Sequence, residues 1–217
     1  MAERKSDTAG PAMRFVLASA SPARRHTLRQ AGVFPDVVVS DVDESAVTAA
    51  DPAALAATLA ELKAESVFAR LDAGAVVVVG CDSLLEFEGR PCGKPGSPEA
   101  AVALWKRTRG RTAVLVTGHH VVVRDAAGTR RATRSARTVV HFADLADSEI
   151  EAYAATGEPE RVAGGFTIDG LGGPFVTRLE GDPHNVVGLS LPLLRMMLAD
   201  LGVAWTSLWS PERRAQP

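Results

Sequence analysis

Apolar and polar positions along this chain switch between a helical and a two-residue period, and the switch points divide it into elements. Residues 14–19 read as a short buried strand and 22–31 as a helix ending at Gly32. A second strand is predicted at 36–40 (DVVVS), followed by an acidic turn, Asp41-Val-Asp-Glu-Ser45. Asp51-Pro52 caps a long helix to about Leu71, with Leu55, Leu59, Leu62 and Phe68 on one face. The valine-rich run Ala75–Cys81 has the pattern of a strand buried on both sides. Leu84–Phe87 continues it into a hairpin turn at Glu88-Gly89-Arg90. Ser97-Pro98-Glu99 opens another capped helix, through about Arg107.

The second half reads differently. Residues 112–124 and 130–143 are two strands joined by Asp125-Ala-Ala-Gly128, a long hairpin. Ser148-Glu-Ile-Glu151 has capping-box spacing and begins a helix to about Thr156. A glycine-rich segment, Ala163–Gly173, precedes a strand at 174–179 and a turn at Gly181-Asp182-Pro183. A helix at 191–201 and a short strand at 203–208 complete the series. Helices alternating with strands, then a hairpin, predict an α/β fold with a mixed twisted sheet flanked by helices. With no repeat and no long linker, residues 14–209 read as one domain. Residues 1–13 read as a disordered leader, with Met13 an alternative start, and 210–217 as a flexible tail.

Composition narrows the function. The chain has 217 residues, 46% hydrophobic and 23% charged, with a formal net charge of -2. That balance argues against a nucleic-acid or membrane surface, so any anion site must be a local concentration of basic groups. No apolar run is long enough to span a bilayer. Two cysteines, Cys81 and Cys92, read as reduced thiols of a cytoplasmic protein and are too few for a cysteine-only zinc site.

Four places carry candidate chemistry. In Ser19-Ala-Ser-Pro-Ala-Arg-Arg25 a strand runs straight into a helix, with Ser21 as N-cap and Pro22 in the first turn. Hydroxyls, free N–H groups and the guanidinium groups of Arg24 and Arg25 would converge there as a phosphate seat. The competing reading is an ordinary strand–helix turn with solvated arginines. In Gly80-Cys-Asp-Ser83 an acid follows a hydrophobic strand, placed to hold a divalent cation or to take a proton from water; a turn-forming Asp is the alternative. In Gly93-Lys-Pro95 the proline keeps Lys94 on an extended loop, free to reach a phosphate or simply solvated. Glu44 on the acidic turn and Lys63 on the long helix read individually as surface charges. His119 and His120 are adjacent on a strand and point to opposite faces, so they cannot chelate one metal together. The GLGG segment lacks dinucleotide-fingerprint spacing.

Taken together, these segments resemble the Maf family of nucleoside triphosphate pyrophosphatases, over about Arg14 to Trp209. The matching motifs are Leu17-Ala-Ser-Ala-Ser-Pro-Ala-Arg24, Asp41-Val-Asp-Glu44, Leu62-Lys-Ala64, Gly80-Cys-Asp-Ser83, Gly93-Lys-Pro95 and Ala163-Gly-Gly-Phe-Thr-Ile-Asp-Gly170. Asn185-Val-Val-Gly-Leu-Ser-Leu-Pro192 matches as well, and the wording is that of the actinobacterial branch. The resemblance implies an elongated, two-lobed fold of the Maf and inosine-triphosphatase kind with a central cleft, cytoplasmic and often dimeric. It implies Mg²⁺- or Mn²⁺-dependent hydrolysis of a nucleoside triphosphate between the α and β phosphates. By position, Asp82 matches the proton acceptor and Glu44 a metal ligand; Asp82 is the alternative second ligand, and the sequence does not choose between its roles as base and as ligand. Ser19, Ser21, Arg24, Lys63 and Lys94 match groups around the phosphates.

Three positions depart from the branch that prefers thymidine and uridine triphosphates. Ala23 stands where that branch has arginine, Ser83 where it has threonine, and Asp169 where it has glutamine. An ionised Asp169 cannot donate a hydrogen bond as an amide does. The departures imply another base preference or a broader pocket. Two other functions fit the same residues: a nucleotide-binding regulator of septum formation with slow hydrolysis, and a nucleotidyltransferase, which would need an acceptor besides water. The glycine-rich loop of nucleotidyltransferases is absent from the first turn.

Overall fold

The computed structural model describes residues 13–49 and 51–209. The predicted leader, except Met13, and the predicted tail lie outside the described residues. The strands are β1 (Arg14–Leu17), β2 (Asp36–Val37), β3 (Val76–Phe87), β4 (Arg90–Cys92), β5 (Thr112–Asp125), β6 (Gly128–Phe142) and β7 (Val176–Glu180). The helices are α1 (Pro22–Gln30), α2 (Pro52–Phe68), α3 (Pro98–Thr108), α4 (Asp147–Ala154), α5 (Pro183–Val187) and α6 (Leu191–Asp200). The sheet runs β2-β1-β3-β5-β6-β7, with β4 also on β3. β2, β1 and β3 are parallel and the remaining pairs antiparallel, the mixed α/β sheet that the element order predicts.

Four helices open on one signature, a small oxygen-bearing residue followed by proline. Ser21, Asp51, Ser97 and Asp182 each accept a backbone N–H of the first turn, and the proline fills a position with no hydrogen bond to lose. Asp182-Pro183 therefore starts α5 rather than only turning the chain. α4 begins one residue before the predicted Ser148, where Glu149 reaches back to the Ala146 N–H at 2.9 Å. The hairpin turn is as predicted: Glu88 and Gly89 both have positive φ (53° and 72°), as a tight primed turn requires. The strand expected at 203–208 is instead a 3-10 turn at Trp205–Leu208. Two of its donors are committed locally, the Val203 N–H to Leu198 O and the Ser207 N–H to Ala204 O, and not to a sheet.

Two cores share one face of the long strands. Odd positions Val77, Val79 and Cys81 of β3 join Leu17, Leu28, Leu194 and Met197. Further along the same face, Leu85 and Phe87 join an aromatic cluster around Trp105, Phe142, Tyr153 and Phe166. α2 covers the other face. Its buried stripe is Ala56, Leu59, Ala60, Lys63, Ala64 and Val67; of the predicted face Leu59 is buried, Leu55 and Phe68 are half-buried, and Leu62 is 39% exposed. The reason lies beneath it. A Cβ on Gly80 would stand 2.2 Å from the Ala60 carbonyl oxygen, and one on Gly118 2.2 Å from that of Ala56. The helix backbone rests directly on two glycines, and only small side chains fit between.

The third feature decides where the site lies. β1 pairs with β3 only at Val76–Val79, and β4 takes the same edge only at Leu85–Phe87. Between them the edge of β3 from Gly80 to Leu84 has no neighbouring strand. Asp82 does not follow a strand end, as its sequence context suggests; it sits in the middle of one long strand, at this split.

Candidate active site

The split opens into a cleft of about 490 Å³. Ten of the eleven residues singled out in the sequence line it: Ser19, Ser21, Ala23, Arg24, Glu44, Lys63, Asp82, Ser83, Lys94 and Asp169. They come from β1's exit, the start of α1, the Glu44–Ala46 turn, α2, β3, the loop after β4 and the glycine-rich loop. Arg25, by contrast, is exposed and outside the lining, because consecutive helical residues diverge by about 100°. The phosphate seat has one guanidinium, not two.

On the α2 side the cleft is ionic. Lys63 is 8% exposed, and its ammonium lies 2.5 Å from Asp82 Oδ1 and 2.9 Å from Glu44 Oε1. Glu44 reaches in from a short turn that Asp43 caps by accepting the Ser45 N–H. The close approach of α2 on Gly80 and Gly118 is what brings the lysine to this depth. Asp82 Oδ2 has no partner among the described residues, so one carboxylate oxygen remains able to accept.

On the opposite face Arg24 is held entirely by neutral groups. Its Nε donates to Gly188 O (2.7 Å), Nη1 to Ser19 Oγ (3.0 Å) and Cys81 O (2.8 Å), and Nη2 to Ser83 Oγ (3.0 Å). The Cys81 carbonyl is one that a neighbouring strand would otherwise bond, so the guanidinium fills the split in the sheet. No carboxylate among the described residues pairs with Arg24, and its charge stays uncompensated at the cleft floor. Gly188 permits the contact: its φ is 111°, and a Cβ there would lie 3.1 Å from Arg24 Nε. Ala23, whose N–H is among those a helix start leaves without a carbonyl partner, also lines the cleft. Lys94 and Arg161 add two exposed cations with no ion-pair partner among the described residues.

Sequence reasoning misses Arg161; no local spacing marks it, and only the fold of its loop brings it to the cleft. It also misses Glu158. That carboxylate accepts from the Tyr153 and Thr167 hydroxyls and from the N–H groups of Leu171 and Gly172, tying down the loop that carries Asp169. Burial works to raise the Glu158 pKa, yet these four donors hold it below the usual carboxylate range. An acid just ahead of a glycine-rich loop, whose N–H groups need acceptors, is the signal that points to it.

His119 and His120 do face opposite ways. His120 meets Glu65 and Thr133, and His119 lies buried between Thr117 O (3.0 Å) and the Ser190 N–H (2.9 Å). A ring that accepts from one backbone N–H and donates to one carbonyl must be neutral; burial pushes its pKa down to about 4. Burial likewise pushes the Cys81 thiol up to about 11, which removes it as a nucleophile. Cys81 and Cys92 are both free thiols.

No group of three or more His, Cys, Asp or Glu side chains among the described residues is placed to hold a metal. Glu44 and Asp82 do converge on one cationic centre, now the Lys63 ammonium. Two carboxylates fit an ion of the Mg²⁺ type, which commonly takes one or two and completes its shell with water and phosphate oxygens. No helix among the described residues is long and apolar enough to cross a membrane.

A split-edge mixed sheet, a capped Ser-Pro turn and a cleft of paired acids and free cations define an α/β protein built around a polyanion-sized site. The chain belongs to the Maf-like protein family, which matches residues 14–201. A curated relative in Cutibacterium acnes named nucleoside triphosphate pyrophosphatase is 54% identical, over 90% of this chain and 94% of its own length. Relatives of the same name in Salinispora tropica (54% identical, 94% of this chain, 91% of theirs) and Streptomyces coelicolor (53%, 94% and 98%) are similar along their lengths.

Proposed function

We propose that the cleft hydrolyses nucleoside triphosphates between the α and β phosphates, giving a nucleoside monophosphate and pyrophosphate. One observation carries the reading: the Asp82–Lys63–Glu44 cluster faces, across one cleft, the cations Arg24, Lys94 and Arg161. The names of the relatives point the same way.

In this reading the triphosphate tail lies against Arg24 and the first turn of α1, with Lys94 and Arg161 closing on it. Those groups neutralise the chain of charges and stabilise the charge that moves onto the departing pyrophosphate. Asp82 Oδ2 accepts the proton of the water that attacks the α phosphorus. Lys63, bonded to Oδ1, fixes the carboxylate's orientation. Glu44 and Asp82 would hold a divalent ion, Mg²⁺ or Mn²⁺, which when bound supplies charge neutralisation and polarises phosphate oxygens. Ser19 and Ser21 meet the phosphates, while Ala23, Ser83 and Asp169 shape the space for the base. The two free thiols fit a reducing, cytoplasmic setting; a homodimer, expected in this family, would appear as doubled mass in sedimentation.

The test is pyrophosphate release from a panel of common and modified triphosphates, with Mg²⁺, Mn²⁺ or a chelator. The reading predicts pyrophosphate and monophosphate in equal amounts, and activity lost to the chelator. Release of orthophosphate instead, or turnover only with an acceptor other than water, would contradict it.

A further inference from the structure

The hydrogen bonds around Arg24 set the polarity of the two serines it touches, and they set it in opposite senses. A hydroxyl has one proton to give and two lone pairs to receive with. Ser19 Oγ receives from Arg24 Nη1 at 3.0 Å and from the Ser21 N–H at 3.3 Å. Both lone pairs are used, and what remains is its proton.

Ser83 is the reverse case. Its Oγ receives from Arg24 Nη2 at 3.0 Å and lies 2.9 Å from Thr117 Oγ1. The Thr117 hydroxyl is buried and has given its proton to the Asn185 backbone carbonyl at 3.1 Å. A carbonyl can only accept and a guanidinium can only donate, so the chain between them runs one way. Arg24 donates to Ser83, Ser83 to Thr117, and Thr117 to Asn185. The Ser83 proton is committed inward, and what Ser83 offers the cleft is one lone pair. Asn185 is itself fixed, its amide donating to Leu115 O and Thr138 Oγ1, so the acceptor that starts this ordering cannot turn away.

We infer that Arg24 makes Ser19 a donor-only contact for a phosphate oxygen and Ser83 an acceptor-only contact for a hydrogen-bond donor on the nucleoside, with Thr117 the residue that fixes Ser83's sense. This rests on the triphosphate reading above and sharpens it. A base or sugar presenting an N–H or O–H to Ser83 is favoured, and one presenting a carbonyl there is refused, because two acceptors would face each other. Thr117 touches no ligand; it is a positioning residue for specificity.

Calorimetric binding separates the two senses, with inorganic tripolyphosphate as the phosphate-only probe and a non-hydrolysable α,β-methylene nucleoside triphosphate as the full one. Ser19→Ala should weaken both probes by the same factor, about tenfold, the usual worth of a hydrogen bond to a charged group. Ser83→Ala should leave tripolyphosphate unchanged and weaken the nucleotide about tenfold. Thr117→Val, nearly the same in shape, keeps the experiment decisive if Ser83→Ala fails to fold. It frees the Ser83 proton, so discrimination between a nucleotide and its N-methyl or O-methyl counterpart should fall toward one. The base-methyl and sugar-methyl arms tell which donor is read. If Ser83→Ala or Thr117→Val weakens tripolyphosphate as much as nucleotide, or leaves methyl discrimination intact, the polarity assignment is wrong. If the unaltered protein binds neither probe, the triphosphate reading itself fails, which is a different result.

Discussion

Asp82 and Ser83 are neighbours on β3, yet alternation of the strand puts them in opposite surroundings. On Asp82's side the cleft is built from full charges: one lysine between two carboxylates, with Lys63 and Asp82 buried and Glu44 half exposed. On Ser83's side a single guanidinium makes four bonds to neutral oxygens and keeps its charge. The ionic side has exchangeable partners. In the proposed reading a divalent ion competes for Glu44 and Asp82, and substrate oxygens for Lys63. The neutral side is fixed, because Arg24's bonds to Cys81 O and Ser83 Oγ close the split in the sheet and those to Ser19 and Gly188 tie two loops to it. One half is therefore suited to chemistry, and the other to fixing position and charge.

Asp82→Asn breaks the ionic half most sharply. The amide oxygen still accepts from Lys63, so the fold survives, but no group remains to take the water's proton. Turnover should fall by about a thousandfold with nucleotide affinity within a few-fold, read from steady-state kinetics and equilibrium binding. Retained turnover would remove Asp82 from the proton-transfer role.

Arg24→Lys tests the neutral half. An ammonium keeps the charge but cannot reproduce the fork that spans Gly188, Ser19, Cys81 and Ser83. Catalytic efficiency should drop by about a hundredfold and unfolding free energy by about 2 kcal/mol, since several buried acceptors lose their donor. If charge alone mattered, lysine would restore most of the activity.

How much of this could be read from the chain depended on whether the physics was local. The Ser-Pro and Asp-Pro caps, the primed turn at Glu88-Gly89 and the valine run of β3 are settled within a few residues, and they were legible. So were the ten cleft residues, through motifs whose order matches a family. The split edge was not, because it depends on where β1 and β4 stop pairing with β3, and no residue of β3 records that. Arg24's partner Gly188 is 164 positions away, and nothing near either residue announces the other. The face predicted for α2 holds at Leu59 but not at Leu62, for a related reason. Gly80 and Gly118 select its small face, and they lie on two other elements. Asp182-Pro183 is the exception: it carries the cap signature of three other helices and could have been recognised as a helix start.

The smallest expected effect lies behind the neutral half, at His119. Its pKa of about 4 in the fold lies below the 6.5 of an unconstrained imidazole, so the unfolded chain binds the proton more readily. Stability is complete above pH 6.5 and declines as pH falls toward 4, where the folded state also protonates. Between pH 7 and 5 the loss should be about 2 kcal/mol in denaturant unfolding, over and above other groups. His119→Gln should flatten that part of the profile. An unchanged slope would mean the ring is not held neutral between Thr117 and Ser190.

The account rests on water attacking the α phosphorus beside Asp82. Hydrolysis of a nucleoside triphosphate in ¹⁸O-labelled water, with products separated and weighed by mass spectrometry, tests this directly. The account predicts one labelled oxygen in the nucleoside monophosphate and none in the pyrophosphate. Label in pyrophosphate would place the attack on the β phosphorus, and label in orthophosphate would place it on the γ phosphorus; either result contradicts the site as described.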